Sequence, residues 1–336
     1  MIARICVEQP GMGVSAQDCG RTNYRALGVP LSGALDPVQL AAANALAGAP
    51  EGSAGLEILL AAPVLRVEQG PLRIGLAGAL SGMLTRADGG EHSVMGWRGL
   101  VLQTGDSLAL RLARGPAYIG FSGGLDLPMV LGSRSTFLRA KFGGIDGRAL
   151  LAGDLLRCAA AEGEEVAAPV FAHEDGPLRF IPGPQDQNFT PEALAAFAAT
   201  AWRVSADSDR MGMRLAGPQL THRPGLANIV SDGATPGAIQ VPGDGQPIVL
   251  RADCQTSGGY AKIGCVISAD VFRAAHFAAG DSVAFTAVDH QKAAEARQKL
   301  HAKFAQWREK ITAVRQPWDL EKLWSENLIS GAFSGD

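Results

Sequence analysis

Between residues 1 and 160 the chain is written in apolar–polar runs of about five residues, each closed by a glycine turn. Residues 63–68 (PVLRVE), 72–76 (LRIGL) and 108–112 (LALRL) are examples. Runs this short cannot complete the three to four turns of an ordinary helix, and their period of two suits a strand with one face buried. There are 42 glycines among 336 residues, well above the roughly 7 % usual in globular chains, as expected for many tight turns. The resulting expectation is a mostly β protein with a few helices.

Two helices interrupt the pattern. Residues 36–47 (DPVQLAAANALA) carry Asp36 as N-cap, Pro37 at the first helical position and Gly48 just past the end, the usual start and stop signals. Residues 190–200 (TPEALAAFAAT) open with Thr190 as cap and Glu192 in the first turn, where a negative charge meets the positive end of the helix dipole. Gly105-Asp106, Gly153-Asp154 and Gly280-Asp281 each precede a strand-like run, a weak repeat of good turn pairs.

Composition divides the chain into an N-terminal β-rich domain (1–160), a C-terminal β domain (177–288) and a helical tail (289–336). The linker at about 159–176 is rich in Ala and Glu and lacks strand alternation. In the tail, Ala293, Ala296, Leu300, Phe304, Trp307, Ile311 and Val314 recur at intervals of three or four, a helical stripe. Pro317 stops it, and Trp318, Leu320, Leu323 and Trp324 form a second apolar cluster. Such a helix packs on its own domain or docks on a partner subunit.

The net charge of −3 is unlike the basic footprint of a nucleic-acid binder. No apolar run reaches the roughly 18–20 residues of a membrane helix, and the N-terminus lacks a secretory h-region. A cytoplasmic protein is expected. Five scattered cysteines and six histidines (His92, His173, His222, His276, His290, His301) form no paired ligand spacing, so the sequence supports no metal site.

Generic motifs add little. Residues 11–16 fit G-x-G-x-x-A, but Asp18-Cys19-Gly20 breaks the chain where a dinucleotide site needs a long helix. No G-x-x-x-x-G-K-[ST] is present. Residues 120–124 match G-x-S-x-G, yet Pro128 and Gly132 leave no room for the helix of a nucleophile elbow.

The dense polar stretches lie further on. Residues 208–215 put Asp209, Arg210 and Arg214 beside Gly212, and residues 237–262 hold Gln240, Asp244, Gln246, Asp253, Gln255, Thr256, Tyr260 and Lys262 among glycines and prolines. Amides, carboxylates and a lysine on glycine-rich loops can converge on a small polar substrate. The same residues also make good hairpin turns.

These stretches resemble a known family. Residues 28–30 (GVP), 32–36 (SGALD), 131–136 (LGSRST), 208–215, 240–247 (QVPGDGQP) and 253–262 are similar, in order, to allophanate hydrolase subunit 2, the biotin-dependent carboxyltransferase family. The likeness runs from about residue 5 to residue 288, with Thr22-Asn23 standing where a small or glycine-containing pair is expected before Tyr24. It implies two cyclophilin-like β-barrel domains in tandem. Members of the family serve as the C-type component of ATP-dependent 5-oxoprolinase, as a segment of biotin-dependent urea carboxylase, or as an antagonist of a kinase inhibitor. Each works with a sister protein of the B type (subunit 1).

No biotin-attachment A-M-K-M segment and no ATP-grasp pattern occurs, so the resemblance implies the oxoprolinase component first, with an A-type and a B-type partner and a small amide or lactam substrate. The assembled complex would use ATP, and biotin enters only under the carboxylase alternative. Residue chemistry makes Asp209, Arg210, Gln240, Asp244, Asp253 and Lys262 the catalytic candidates: cations to balance developing charge and carboxylates to serve as base. Arg134, Ser135, Gln246, Gln255, Thr256 and Tyr260 are the substrate-binding candidates, Arg134 because its guanidinium fork suits carboxylate or phosphate.

Overall fold

The computed structural model describes residues 1–314; the expected second apolar cluster at Trp318–Trp324 lies outside them. The described residues form two sheets and three α-helices. Along the path of the first sheet lie Thr312–Ala313, Val166–Ala167, Arg98–Leu102, Leu72–Thr85, Ser107–Phe121, Val64–Gln69, Ile2–Gln9 and Leu155–Ala159. Gly55–Ala61 joins it through Ser107–Phe121 and carries Met12–Gln17, while Glu91–Met95 pairs with Leu72–Thr85. The second sheet runs Ser282–Val283, Trp202–Val204, Gly212–Ala216, Ile248–Leu250, Ala238–Val241, Ser257–Val266, Leu178–Pro182 and Phe285–Ala287, with Asn228–Gly233 beside Ser257–Val266. Its only parallel pair among the described residues joins Leu178–Pro182 to Phe285–Ala287.

The two cores differ in chemistry. The first is aliphatic, with Ile5, Val7, Leu56, Ile58, Leu72, Ile74 and Ile119 almost wholly buried. The second is aromatic: Phe180 meets Phe197 edge-on at 5.2 Å, and Phe197 stacks on Phe285 at 4.8 Å.

Helix α1 (Pro37–Ala47) starts and stops where its caps predict. Asp36 Oδ1 accepts from the backbone N–H of Val38 and Gln39, both at 3.0 Å, and Gly48 takes the left-handed conformation at φ 68°. The helix lies flush on the first sheet because the strands beneath it carry glycine. A Cβ at Gly75 would fall 2.0 Å from the Ala43 carbonyl oxygen, and one at Gly120 would fall 2.5 Å from the same atom. Helix α2 (Pro191–Ala199) is capped by Thr190.

The tail departs from the helix expected to run through Val314. Helix α3 (His290–Arg308) ends early, and Thr312–Ala313 pairs with Val166–Ala167, inside the linker that showed no strand alternation. The free edge of that short strand is the physical reason, since it offers the chain backbone partners that a continued helix would forgo. The helix packs on its own chain: Trp307 meets Trp97 at 5.8 Å and donates from Nε1 to the Pro169 carbonyl at 2.7 Å.

The generic motifs resolve as turns. Gly11 links two strands at φ 69°, where a Cβ would lie 2.2 Å from the Ala61 carbonyl oxygen, and no helix follows. Ser122 donates to the Ala159 carbonyl at 2.6 Å, so its hydroxyl is a backbone clasp. The three Gly-Asp turns share one device. Each glycine has positive φ, and each aspartate pairs with an arginine: Asp106 with Arg86, Asp154 with Arg148 and Asp281 with Arg114.

Candidate functional site

The loop after Trp202–Val204 turns on Asp209. Its Oδ1 accepts from the backbone N–H of Met211 at 2.8 Å and of Gly212 at 3.1 Å. Asp209 therefore forms no ion pair with its neighbour, and Arg210 is turned inward, 7 % exposed. Arg210 donates from Nε to Asp253 Oδ2 at 2.8 Å, from Nη2 to Asp253 Oδ1 at 3.1 Å and to the Gly33 carbonyl at 2.6 Å, and from Nη1 to Glu57 Oε1. Burial alone would lower the guanidinium, but the Glu57 and Asp253 charges raise it above its ordinary value.

The network continues into the first sheet. Glu57, fully buried on Gly55–Ala61, accepts at Oε2 from the Leu35 N–H and from the Tyr118 hydroxyl, each at 2.7 Å. Burial and the nearby Glu57 and Asp36 charges hold the Tyr118 phenol well above its usual range, so it stays a donor. The same hydroxyl accepts from the Asp36 backbone N–H at 2.8 Å. Asp36 Oδ2 stands 2.6 Å from His173 Nε2 and 2.7 Å from His276 Nε2. Burial opposes the Asp36 charge, but the two imidazoles outweigh it and keep the carboxyl well below the usual carboxylate range. Histidines that show no paired spacing in sequence thus meet on one carboxylate.

Over Arg210 opens a cleft of about 760 Å³ lined from both sheets. Arg139, Asp209, Arg210, Arg251, Asp253 and His276 supply its polar groups, and Leu59, Leu60, Phe137, Met211 and Phe277 its apolar wall. Mostly apolar lining with a few convergent polar groups is what a small-molecule site requires. Arg251 donates from Nη1 to the Asp209 carbonyl at 3.1 Å and from Nη2 to the Ala274 carbonyl. Burial pushes its guanidinium down to about 10, with Asp209 pulling it back up and Arg210 adding to the fall; it remains a cation at neutral pH. Three arginines and two aspartates leave this cleft able to hold a small anionic or amide-bearing molecule.

Of the expected residues, Asp209, Arg210 and Asp253 come together here. Gln240, Gln255 and Lys262 form a second group elsewhere on the same, second sheet, around Ala238–Val241 and Ser257–Val266. Gln255 Nε2 donates to Gln240 Oε1 at 3.1 Å, while Lys262 Nζ pairs with Asp232 Oδ2 at 2.8 Å. Gln240 is 2 % exposed with its Nε2 unpartnered. Tyr260 lies on the same Ser257–Val266 strand, 42 % exposed, and the Thr256 carbonyl accepts from the Ala234 N–H. Asp244 and Gln246 instead close a turn: Asp244 Oδ1 accepts from the Gln246 N–H, and the Gln246 amide bridges the N–H and C=O of Gly217. Arg134 and Ser135 belong to a loop wrapped on Asp18. Its carboxylate accepts from the Arg134 N–H at 2.6 Å and from the Ser133 and Ser135 hydroxyls, while Arg134 Nε donates to the Leu127 carbonyl.

Sequence reasoning missed Glu57, Tyr118, Arg139 and Arg251. A signal existed for Glu57, a lone carboxylate inside the apolar run GLEILLA.

The family described as carboxyltransferase domain, subdomain A and B, matches residues 27–287. The C-type component of the 5-oxoprolinase of Escherichia coli (strain K12) is 36% identical over 305 residues, 89% of this chain and 96% of that protein. The urea amidolyase of Lachancea kluyveri is 27% identical over 325 residues, 88% of this chain and 17% of that protein. The crystal structure of the Kluyveromyces lactis urea carboxylase has a TM-score of 0.82 and 26% identity, covering 94% of this chain and 31% of that one.

Proposed function

The chain belongs to the carboxyltransferase domain family, subdomain A and B, and we propose that it is the C-type component of an ATP-dependent 5-oxoprolinase. With A- and B-type partners, in the cytoplasm, it would take part in hydrolysing 5-oxoproline to glutamate. The observation that carries this reading is end-to-end similarity: the chain spans 96% of the E. coli oxoprolinase component at 36% identity. It covers only 17% of the urea amidolyase that it also resembles.

The chemistry requires activation, because a lactam is a stable amide. Transfer of the ATP γ-phosphoryl group to the carbonyl oxygen makes that oxygen a leaving group. Water then attacks the ring carbon, the C–N bond opens with a proton passing to the nitrogen, and a second water cleaves the resulting acyl phosphate, so that glutamate, ADP and phosphate result. Negative charge grows at the carbonyl oxygen and phosphoryl group, so fixed cations that need no reorganisation favour the step. Arg139 and Arg251 at the cleft are suited to this. Arg210, committed to Glu57 and Asp253, is a positioning residue for the cleft floor. Asp209 presents an exposed carboxylate for water or a basic partner. The sequence carries no G-x-x-x-x-G-K-[ST], so we assign ATP binding to a partner chain.

The likeness to the urea carboxylase structure favours a second reading, carboxyl transfer from carboxybiotin to an amide. With no A-M-K-M segment in the chain, biotin would arrive on a separate carrier. Product analysis separates the two. The complex, supplied with ATP, releases glutamate from 5-oxoproline under the first reading. Under the second it incorporates bicarbonate into urea only when a biotinylated carrier is added.

A further inference from the structure

We propose that Asp36, His173 and His276 form a binding site for one divalent transition-metal ion of the zinc or cobalt class. The three come from separate parts of the fold: the N-cap of α1, the linker and the 3-10 turn Arg273–His276. They lie 137 and 240 residues apart in sequence, yet both Nε2 atoms converge on one carboxylate oxygen at 2.6 and 2.7 Å. Two imidazoles and one carboxylate, each offering a single atom within 4.8 Å of the others, are a common donor set for zinc, cobalt and related ions.

The carboxylate is braced from behind by hydrogen bonds, as metal ligands usually are, whereas His173 is held by ring packing, its Nδ1 buried without a partner among the described residues. Asp36 Oδ1 is held by the Val38 and Gln39 N–H groups, and its own N–H is fixed by Tyr118. The His173 ring packs edge-on to Phe171 at 5.7 Å and against Phe272 at 5.2 Å. A tetrahedral ion at roughly 2.0–2.1 Å from each donor sets them about 3.3 Å apart. Each imidazole must therefore draw back by roughly 0.6 Å, a small side-chain rotation with the carboxylate stationary. Asp36 is fully buried, but the imidazoles are 14% and 27% exposed. Both line a cleft of about 550 Å³, and His276 also borders the cleft above Arg210. An ion can therefore enter, and water can complete its coordination. Bound there, it would clamp α1, the linker and the second sheet's 3-10 turn into one unit. This site stands apart from the oxoprolinase reading.

The test is a Co²⁺ titration of the untagged full-length chain after EDTA treatment, read by visible absorption. One equivalent should develop a ligand-field band that Zn²⁺ abolishes. His173→Ala and His276→Ala should each weaken binding by more than roughly 100-fold, beyond what loss of an outer-shell partner costs. His92→Ala, on an exposed strand far in sequence from the cluster, should leave it unchanged. If an alanine variant unfolds, His276→Gln, which keeps a polar group in place, takes its part. No band from folded wild-type protein, or a band that survives both histidine substitutions, overturns the site. The three groups are then a hydrogen-bonded carboxylate–imidazole cluster only.

Discussion

Arg210 donates from Nη1 to the Glu57 carboxylate, 153 residues earlier in the chain, and so joins the second sheet to the first through a buried ion pair. Asp253 takes the other side of the guanidinium. Breaking such a pair strands a desolvated charge, at a cost of about 3–5 kcal/mol. Arg210→Met should therefore lower the free energy of urea unfolding by about that amount, and Glu57→Gln by a large part of it. The double variant should lose less than the sum. A loss below about 1 kcal/mol for Arg210→Met contradicts the role given to this pair.

Arg139 tests the cleft without disturbing the fold. Its side chain is exposed and its Nη1 rests against the Met211 sulfur. Arg139→Ala should leave stability within about 0.5 kcal/mol, while turnover by the assembled complex should fall about 100- to 1,000-fold, the order seen for loss of a charge-stabilising donor. Unchanged turnover would move the chemistry away from this cleft.

Asp270 should contribute to acid unfolding. Its side chain is fully buried, with Arg179 Nε and Nη2 donating to its two oxygens at 2.8 and 2.7 Å. Burial alone would raise its pKa, but these bonds, the Arg179 N–H and the Arg273 charge hold it below the usual carboxylate range. A depressed folded-state pKa contributes stability above the unfolded value of about 3.9, and that stability is lost as pH falls through the folded value. Asp270→Asn should cost about 2 kcal/mol at neutral pH. Below about pH 4 the variant's thermal midpoint should fall less steeply than that of the parent.

Cys158 and Cys254 should behave as inert core residues. Burial pushes each thiol up to about 11, which leaves almost no thiolate at neutral pH. Mass-spectrometric mapping after brief iodoacetamide treatment should find both unmodified until denaturant is added, with the exposed Cys19 alkylated before either. Early modification of Cys254 would contradict its burial beside Arg25.

What could be read from the sequence was local. The α1 boundaries follow from Asp36, Pro37 and Gly48, because caps act within one turn. The strands follow from a period-two pattern that neighbours suffice to reveal. Failures occurred where a distant partner decides. The stripe through Ile311 and Val314 points to helix, but the edge of Val166–Ala167 captures Thr312–Ala313 as a strand. At the site, Asp209, Arg210 and Asp253 were legible as dense polar loops. The meeting of Arg210 with Glu57, and of His173 with His276, depends on packing of the two sheets and leaves no spacing to detect. Asp244 and Gln246 close a tight turn, a role that the sequence pattern of a polar loop does not separate from a site.

The most direct test of the proposed role is an omission experiment. Glutamate release from 5-oxoproline is measured with ATP and the A- and B-type partners, with this chain present, absent, or carrying Arg139→Ala. The account predicts ATP-dependent release that vanishes without the chain and is strongly reduced with the variant. Equal release with and without it, or none from an intact complex containing it, contradicts the account.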